Sequence, residues 1–482
     1  MVPPMKTELN NDWKNWIKTN VDDGQDKDGI FKILLDEGYS YDAICLEMKY
    51  KPTLPVSKLV NPFDVAKKSK AQHTTNDTTA IVQSKLFIPN ANKLDSDRLE
   101  LHTLEGFLNN EECLKIIELI KSELRPSTLS SSESDKAYRT SRTCNLGTIG
   151  GDFMREIDLR ISRLIGVDPS YSEPIQGQHY DVGQEFKSHT DYFEQHEMAE
   201  HGGLMGQRTF TVMIYLNNVE EGGETCFSEV NTQFAPCEGM AVIWSSLNLD
   251  GTTNNNSMHH ALPILKGYKA IITKWFRSNS CLPNMPAMFT KEANEYIPNY
   301  TRAGFKIARL SQEVLEKIQG FYLANIKTEK EESVPGDFIF NAGKKNIKSS
   351  SLVDLSPALR KEIHDTLKPL LEDWTNKSLN PTFVYGIRNY HRGAVLKTHR
   401  DRLETHIISA IINVDQKVDK DWPLVIDDNY YRQHHVILKP GDMFFYEGAR
   451  LKHGRPFEFI GDSFANVFCH FSPIDYIPRK LV

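Results

Sequence analysis

The sequence predicts an α+β protein, mainly β, in which a small N-terminal helical module precedes two related sheet domains, each buttressed by helices. Three observations carry that reading. The twelve residues from Tyr180 to Asp191 recur in skeleton from Tyr390 to Asp401, with Tyr, Gly, Lys, His and Asp at matching positions and a constant offset of 210 (189 to 399, 191 to 401). In each half, helical periodicity comes first and short strand-like runs follow, as in a β-sandwich or closed β-helix with helices packed on it. At 482 residues the chain is too long for one ordinary core, and length favours two large domains plus a smaller piece. The expected divisions are a helical module over 1–62, a linker over 63–83, and sheet domains over 84–282 and 283–482.

The module rests on apolar residues recurring at three and four: Trp13, Trp16 and Ile17, then Ile30, Phe31, Leu34 and Leu35, then Ile44, Cys45 and Met48. Gly38 ends one helix and the Tyr39-Ser-Tyr-Asp42 stretch starts the next. Such a module is read as a helical cap on the next domain, with a partner-docking module as the sharper alternative. Residues 66–80 are polar and without periodicity, which suits a linker.

In the first sheet domain a strand-like run is expected from Ser84 to Pro89, then a strand end and a helix within Leu104 to Leu124. Asn109 or Asn110 caps that helix ahead of the stripe Leu114, Ile116, Ile117, Leu119 and Ile120. Strands follow at Thr209 to Leu216, Thr225 to Phe227, Met240 to Trp244 and Ala270 to Phe276. In the second domain, helices are expected at Leu310 to Ile326 and Pro357 to Trp374, and loops at Thr328 to Val334 and Gly343 to Ser351. Its strands are expected at Thr382 to Tyr390, His406 to Val414, Val436 to Leu438, Met443 to Tyr446 and Ser463 to Phe471.

Composition excludes several function classes. A formal net charge of −7 argues against a generally basic nucleic-acid clamp. The seven cysteines (Cys45, Cys113, Cys144, Cys226, Cys237, Cys281, Cys469) include no C-x-x-C pair, which argues against a disulfide framework or structural zinc site. No apolar leader and no eighteen-residue apolar run stand out, so a soluble, reduced, cytoplasmic protein without membrane contact is expected.

The chemistry-bearing residues begin with His189-Thr-Asp191. A His-X-Asp followed much later by one more His is the facial triad by which a sheet pocket holds iron with open positions. Here the ordered motifs are His189-Thr-Asp191-Tyr-Phe, Gly206-Gln-Arg-Thr-Phe-Thr-Val-Met-Ile-Tyr-Leu-Asn, Glu221-Gly-Gly-Glu-Thr-Cys-Phe and His259-His-Ala-Leu-Pro-Ile-Leu-Lys-Gly-Tyr-Lys269. Over roughly residues 96 to 280 this set resembles the prolyl 4-hydroxylase family of Fe(II)- and 2-oxoglutarate-dependent dioxygenases. The resemblance implies a double-stranded β-helix, and hence tandem double-stranded β-helix (jelly-roll) domains.

It also implies that His189, Asp191 and a distal His bind Fe(II). His259 rather than His260 stands four residues before Pro263 and ten before Lys269, as the family pattern requires. Lys269 is implied for the far carboxylate of 2-oxoglutarate, where an ammonium offers a point charge and donors. Tyr180 matches the family's cosubstrate-pocket tyrosine, and O2 and ascorbate complete the implied cofactors. Arg277 reads as a strand-end surface charge, and Thr209 and Thr211 as ordinary strand threonines. Glu194 to Gln207 reads as a mobile lid, with His196 and His201 facing solvent.

The second repeat carries His399, Asp401 and, in Leu451-Lys-His453-Gly-Arg-Pro, His453 as its candidate triad. This half also resembles the 2-oxoglutarate oxygenase superfamily, with one departure: ten residues after His453 stands Ser463 instead of lysine. Asp421-Trp-Pro-Leu-Val replaces the Glu-Gly-Gly-Glu-Thr turn. Arg455 is the nearest replacement cation, ahead of Arg388 and Lys397. The opposing reading is a decayed repeat kept for burial, dimerisation or substrate-protein binding.

The function expected is hydroxylation of an unactivated C–H bond, with a prolyl residue of a protein or peptide as substrate and succinate and CO2 released. A free amino acid, small metabolite or non-prolyl side chain is the alternative substrate, and a binding or scaffold protein the alternative class. A nucleic-acid demethylase and a cupin-like metal hydrolase rank lower, the first for want of a basic groove and the second because it leaves Lys269 unused.

Overall fold

The computed structural model describes residues 6–22, 27–52, 55–56, 59, 86–126, 140–280, 291–332, 334, 338–343 and 349–477. The expected linker and the junction at 282 lie outside these residues. Among the described residues, no helix is long and apolar enough to cross a membrane.

Helices Asn11–Asp22, Lys27–Asp36 and Tyr41–Met48 enclose a core of their own around Ile17, Phe31, Leu34, Tyr39 and Ile44. Gly38, at φ +87°, makes the turn that a side chain would strain. The Ser40 hydroxyl then accepts from the Ala43 N–H and caps the third helix.

The first sheet pair follows from strands with two buried faces. Its eight-stranded sheet runs, in spatial order, Asn92–Lys93, Leu101–Leu104, Ala241–Ser245, Arg208–Tyr215, Lys269–Arg277, Gln176–Tyr180, Arg142–Asn145, Arg125–Pro126. A four-stranded sheet faces it in the order Thr232–Phe234, Thr225–Phe227, His259–Ala261, Phe186–His189. Alternation sends Phe210, Val212 and Ile214 into the helix-covered core and Met213 and Tyr215 toward the opposite sheet. On Lys269–Arg277 the same alternation puts Ala270, Ile272 and Phe276 under the helices and turns Lys269, Ile271, Thr273 and Trp275 to the inter-sheet pocket.

The second pair repeats this order. Its seven-stranded sheet runs Phe305–Arg309, Asp442–Tyr446, Ile408–Val418, Gly461–Pro473, Leu379–Tyr390, Ser350–Val353, Lys330–Glu331. The facing five-stranded sheet runs Ile339–Asn341, Ala394–His399, His453–Arg455, Leu424–Asp427, Gln433–Val436. Helices Gln312–Asn325 and Pro357–Thr375 cover the larger sheet as expected. The halves meet where Tyr430 and Tyr431 enter the first core and Arg432 donates to the Phe107 carbonyl over 2.6 Å.

Several expectations change. Of the strand expected from Ser84 to Pro89, residues 84–85 lie outside the described residues and 86–89 form no strand, the Leu86 N–H being taken by the Glu100 carboxylate. Helix Gly151–Ile165 lies outside the sequence expectations, although Met154, Ile157, Ile161 and Leu164 space it and Gly166 closes it at φ +81°. Strand Lys330–Glu331 lies within the expected loop Thr328 to Val334, and Ser350–Val353 begins at the end of the expected loop Gly343 to Ser351, whose residues 344–348 lie outside the described residues; the two strands pair at the sheet edge, where polar residues are tolerated. The Asn109 cap is present as a full capping box with Glu112.

Candidate metal centres

Two antiparallel strands of the small sheet set the first site. His189 ends Phe186–His189 and His259 begins His259–Ala261, and the two pair directly across the ladder. Asp191 follows two residues after the first strand. Ligating atoms of His189, Asp191 and His259 lie within 4.8 Å of one another, a spacing that one metal ion can bridge. His260 sits on the other face of its strand, opposite Cys226.

Each imidazole is oriented by backbone. His189 Nδ1 donates to the Lys187 carbonyl at 2.8 Å and His259 Nδ1 to the Ser257 carbonyl at 2.9 Å, which leaves both Nε2 lone pairs for a cation. The Thr211 hydroxyl donates to Asp191 Oδ2 at 2.7 Å. Burial raises the Asp191 carboxyl, but the nearby His259, His189 and Arg208 and the Thr211 hydrogen bond outweigh it and hold the group below the usual carboxylate range. A buried, ionised carboxylate beside two Nε2 atoms is a donor set suited to a hard divalent ion.

Lys269 lines the same 40 Å³ pocket. Its ammonium lies 4.6 Å from the centre of the Tyr180 ring and donates to the Gly223 carbonyl at 2.9 Å. Burial pulls it down to about 7. Tyr180 lines the pocket too, with its hydroxyl donating to Gln178 at 2.8 Å.

Arg277 corrects the sequence reading. It is only 1% exposed, far from a surface charge. Glu173 takes hydrogen bonds from Arg277 at 2.7 Å and from Arg208 at 2.7 and 2.8 Å, and Arg277 also donates to the carbonyls of His201 and Gly202. This network pins the expected lid: Met198–Gly202 is a short π-helical turn tied down at its end. His196 and His201 are outside the metal-ligand group. The sequence signal for the network was weak, since Glu173, Arg208 and Arg277 are far apart in the chain.

The comparisons with known proteins bear on the first half. Residues 175–277 match the family model of the 2OG-Fe(II) oxygenase superfamily. The chain is 31% identical over 247 residues to probable prolyl 4-hydroxylase 10 of Arabidopsis thaliana, covering 45% of this chain and 83% of that relative. This chain belongs to the prolyl 4-hydroxylase family of 2-oxoglutarate-dependent dioxygenases. The family implies Fe(II), 2-oxoglutarate and O2. Another member, the rat prolyl 4-hydroxylase subunit alpha-3, is 31% identical over 173 residues, 35% of this chain and 32% of that subunit. Among solved structures, the viral collagen prolyl hydroxylase of Paramecium Bursaria Chlorella virus-1 in its 2OG complex is similar at 23% identity and a TM-score of 0.31, covering 38% of this chain and 97% of that one.

This prolyl 4-hydroxylase family member carries a second group. Ligating atoms of His399, Asp401 and His453 also lie within 4.8 Å of one another. Both imidazoles repeat the backbone lock, His399 Nδ1 on Lys397 O at 2.8 Å and His453 Nδ1 on Leu451 O at 2.9 Å. Ser409 stands where Thr211 does, 3.4 Å from Asp401 Oδ2. Burial pulls His453 down to about 4, which keeps it neutral and able to ligate. This pocket measures 410 Å³. Arg455 lines it, and burial lowers the guanidinium to about 10. Arg388 also lines it, yet Glu332 pairs with it through two bonds of 2.6 Å. Lys397 is exposed on its strand.

Proposed function

We propose that the first site hydroxylates a prolyl residue of a protein or peptide, with His189, Asp191 and His259 holding Fe(II) and Lys269 taking the far carboxylate of 2-oxoglutarate. The observation that carries this reading is the confluence, in one buried pocket, of that ligand group with a buried ammonium that donates to the Gly223 carbonyl and is drawn only partly to Glu224. A cation so placed is unfavourable alone and is offset when an anion enters.

When bound, the iron and keto-acid together supply the oxidising chemistry that inserts one oxygen atom of O2 into the C–H bond and releases succinate and CO2. The chain's own residues do the rest. The Lys187 and Ser257 carbonyls hold the two ring tautomers, and the Thr211 hydroxyl donates to Asp191 Oδ2 and steadies that carboxylate. Tyr180 supports the Lys269 ammonium with its ring face. Arg277 ties the turn Met198–Gly202 through the carbonyls of His201 and Gly202.

Ascorbate as reductant, and a cytoplasmic setting, belong to the same proposal. The six described cysteines are all free, which suits a reducing compartment. The tandem organisation, with sheet domains over 84–282 and 283–482, is supported by the matching strand orders.

The reading is tested by incubating the full chain with Fe(II), ascorbate, 2-oxoglutarate and a library of proline-containing peptides. The expected result is a product heavier by one oxygen on proline, lost in His189→Ala and His259→Ala. Succinate formation without any hydroxyproline, or hydroxyproline made equally by His259→Ala, would sink it.

A further inference from the structure

The loops of the second ligand group lean on the first sheet pair. Strand His453–Arg455 pairs with Leu424–Asp427, Ile426 standing opposite His453, and the chain leaves that neighbour directly into the turn 428–432. Asp428 Oδ1 accepts from the Tyr430 and Arg432 N–H groups, each at 2.8 Å, and shapes the turn. At its tip Tyr431 adopts φ +62°, a left-handed conformation that strains a bulky residue. Its ring is 8% exposed, set in the helix-covered core of the first pair with the Arg163 guanidinium 5.5 Å from the ring centre. The hydroxyl is buried without a hydrogen-bond partner among the described residues. Strain of this kind persists only where the surroundings impose it, and here they engage the ring rather than the hydroxyl.

A second tie reaches Asp401. Lys291 donates to the Phe87 carbonyl of the first half at 2.8 Å and lies 5.2 Å from the centre of the Tyr296 ring. Glu292 and Glu295 close a capping box around the single turn Ala293–Tyr296. From that turn Asn294 donates to the carbonyls of Asp401 at 3.2 Å and Ala449 at 2.5 Å, while the Asp401 N–H donates to the Gly448 carbonyl at 3.0 Å. Arg400, between the two ligands of its motif, donates to Glu292 at 2.6 Å and to the Arg450 carbonyl at 2.8 Å. Arg450 donates back to the carbonyls of Glu295 and Ile297 at 2.8 and 2.5 Å. The loops that deliver Asp401 and His453 are therefore stitched to one turn, and Lys291 fastens that turn to the first half.

We propose that the first sheet pair is a working part of the second pocket: through Tyr431 and the turn 291–297 it holds the loops carrying Asp401 and His453, so that loosening this contact loosens the second ligand group before the sheets around it. Tyr431, Asn294 and Arg450 are positioning residues, since none of the three lines the chamber. The order of loosening follows from where the hydrogen bonds lie. Strands Ile408–Val418 and Gly461–Pro473 pair with each other along their lengths, whereas the loops at 400–401 and 448–450 spend their carbonyls on side chains and turns. The proposal is independent of what either pocket binds.

The test is amide hydrogen–deuterium exchange of the metal-free full chain, so that ligand affinity does not enter. In Tyr431→Ala, exchange across residues 399–402 and 447–453 should quicken by about tenfold or more, with residues 408–418 and 186–189 keeping wild-type rates. Tyr431→Phe keeps the ring, removes only the unpartnered hydroxyl, and should exchange like wild type. Asn294→Leu acts on the turn instead of the first core; it should quicken the same two stretches while residues 428–432 stay protected. Should Tyr431→Ala fail to fold, Asn294→Leu and Lys291→Met carry the test. A folded Asn294→Leu or Lys291→Met chain, judged by an unchanged circular-dichroism spectrum, that exchanges like wild type at 399–402 and 447–453 overturns the proposal. So does a Tyr431→Ala chain in which residues 408–418 quicken as much as the two loops, because the contact would then support the whole second pair alike.

Discussion

The Thr211 hydroxyl donates to Asp191 Oδ2 over 2.7 Å, from the centre of the large sheet to the loop just past the small one. That bond fixes the carboxylate's rotation. Replacing Thr211 by Val keeps the shape and strands one buried oxygen, so Ni(II) affinity at the first site should fall by about 10- to 100-fold. Thr211→Ser should retain most of it. Calorimetry on the chain with His399→Ala and His453→Ala isolates the measurement, and an unchanged affinity in Thr211→Val would remove the positioning role.

Lys269 supplies a pH dependence. Its ammonium is pulled down to about 7 by burial, so it is charged below that pH and loses its proton above it. Because the far carboxylate requires the charged form, affinity for 2-oxoglutarate at the first site should be greatest below about pH 7. It should then weaken as pH rises, by up to about tenfold per unit. Lys269→Met should bind about 10- to 100-fold more weakly and show a flatter profile. Binding titrations across this range decide it.

Arg277 holds the turn Met198–Gly202 through the carbonyls of His201 and Gly202. Arg277→Met leaves Glu173 with Arg208 alone and frees that turn. The expected outcome is faster limited proteolysis within residues 194–207. Cleavage at the wild-type rate would assign the hold on this turn to other contacts.

The Asn109 capping box secures helix Asn110–Ser122 on the first core. Asn109→Ala should lower stability by about 1 kcal/mol, read as a reduced melting temperature with metal affinity unchanged.

Much of this was legible in the chain because it is local. The His-X-Asp spacing, the alternating strands and the helix cap at Asn109 each lie within a few residues, where backbone periodicity alone dictates who shares a face. What escaped is non-local. Glu173, Arg208 and Arg277 look like solvated charges until two strand ends and a loop bring them together. Counting ten residues past His453 reaches Ser463, whereas the strand pairing seats Phe464 opposite Tyr390. Helix Gly151–Ile165 had a readable stripe, yet it lies between segments whose polar character obscures it.

By itself the sequence singled out the repeated Tyr-Gly-Lys-His-Asp skeleton and both groups of candidate ligands, since repeat offset and motif spacing are properties of the chain. Only the tertiary structure decided how Arg277 is used and which wall of each pocket carries the cation. The physical reason is register: pairing between distant strands fixes which side chains share a buried cavity, and burial then turns an ordinary charge into one that needs a partner.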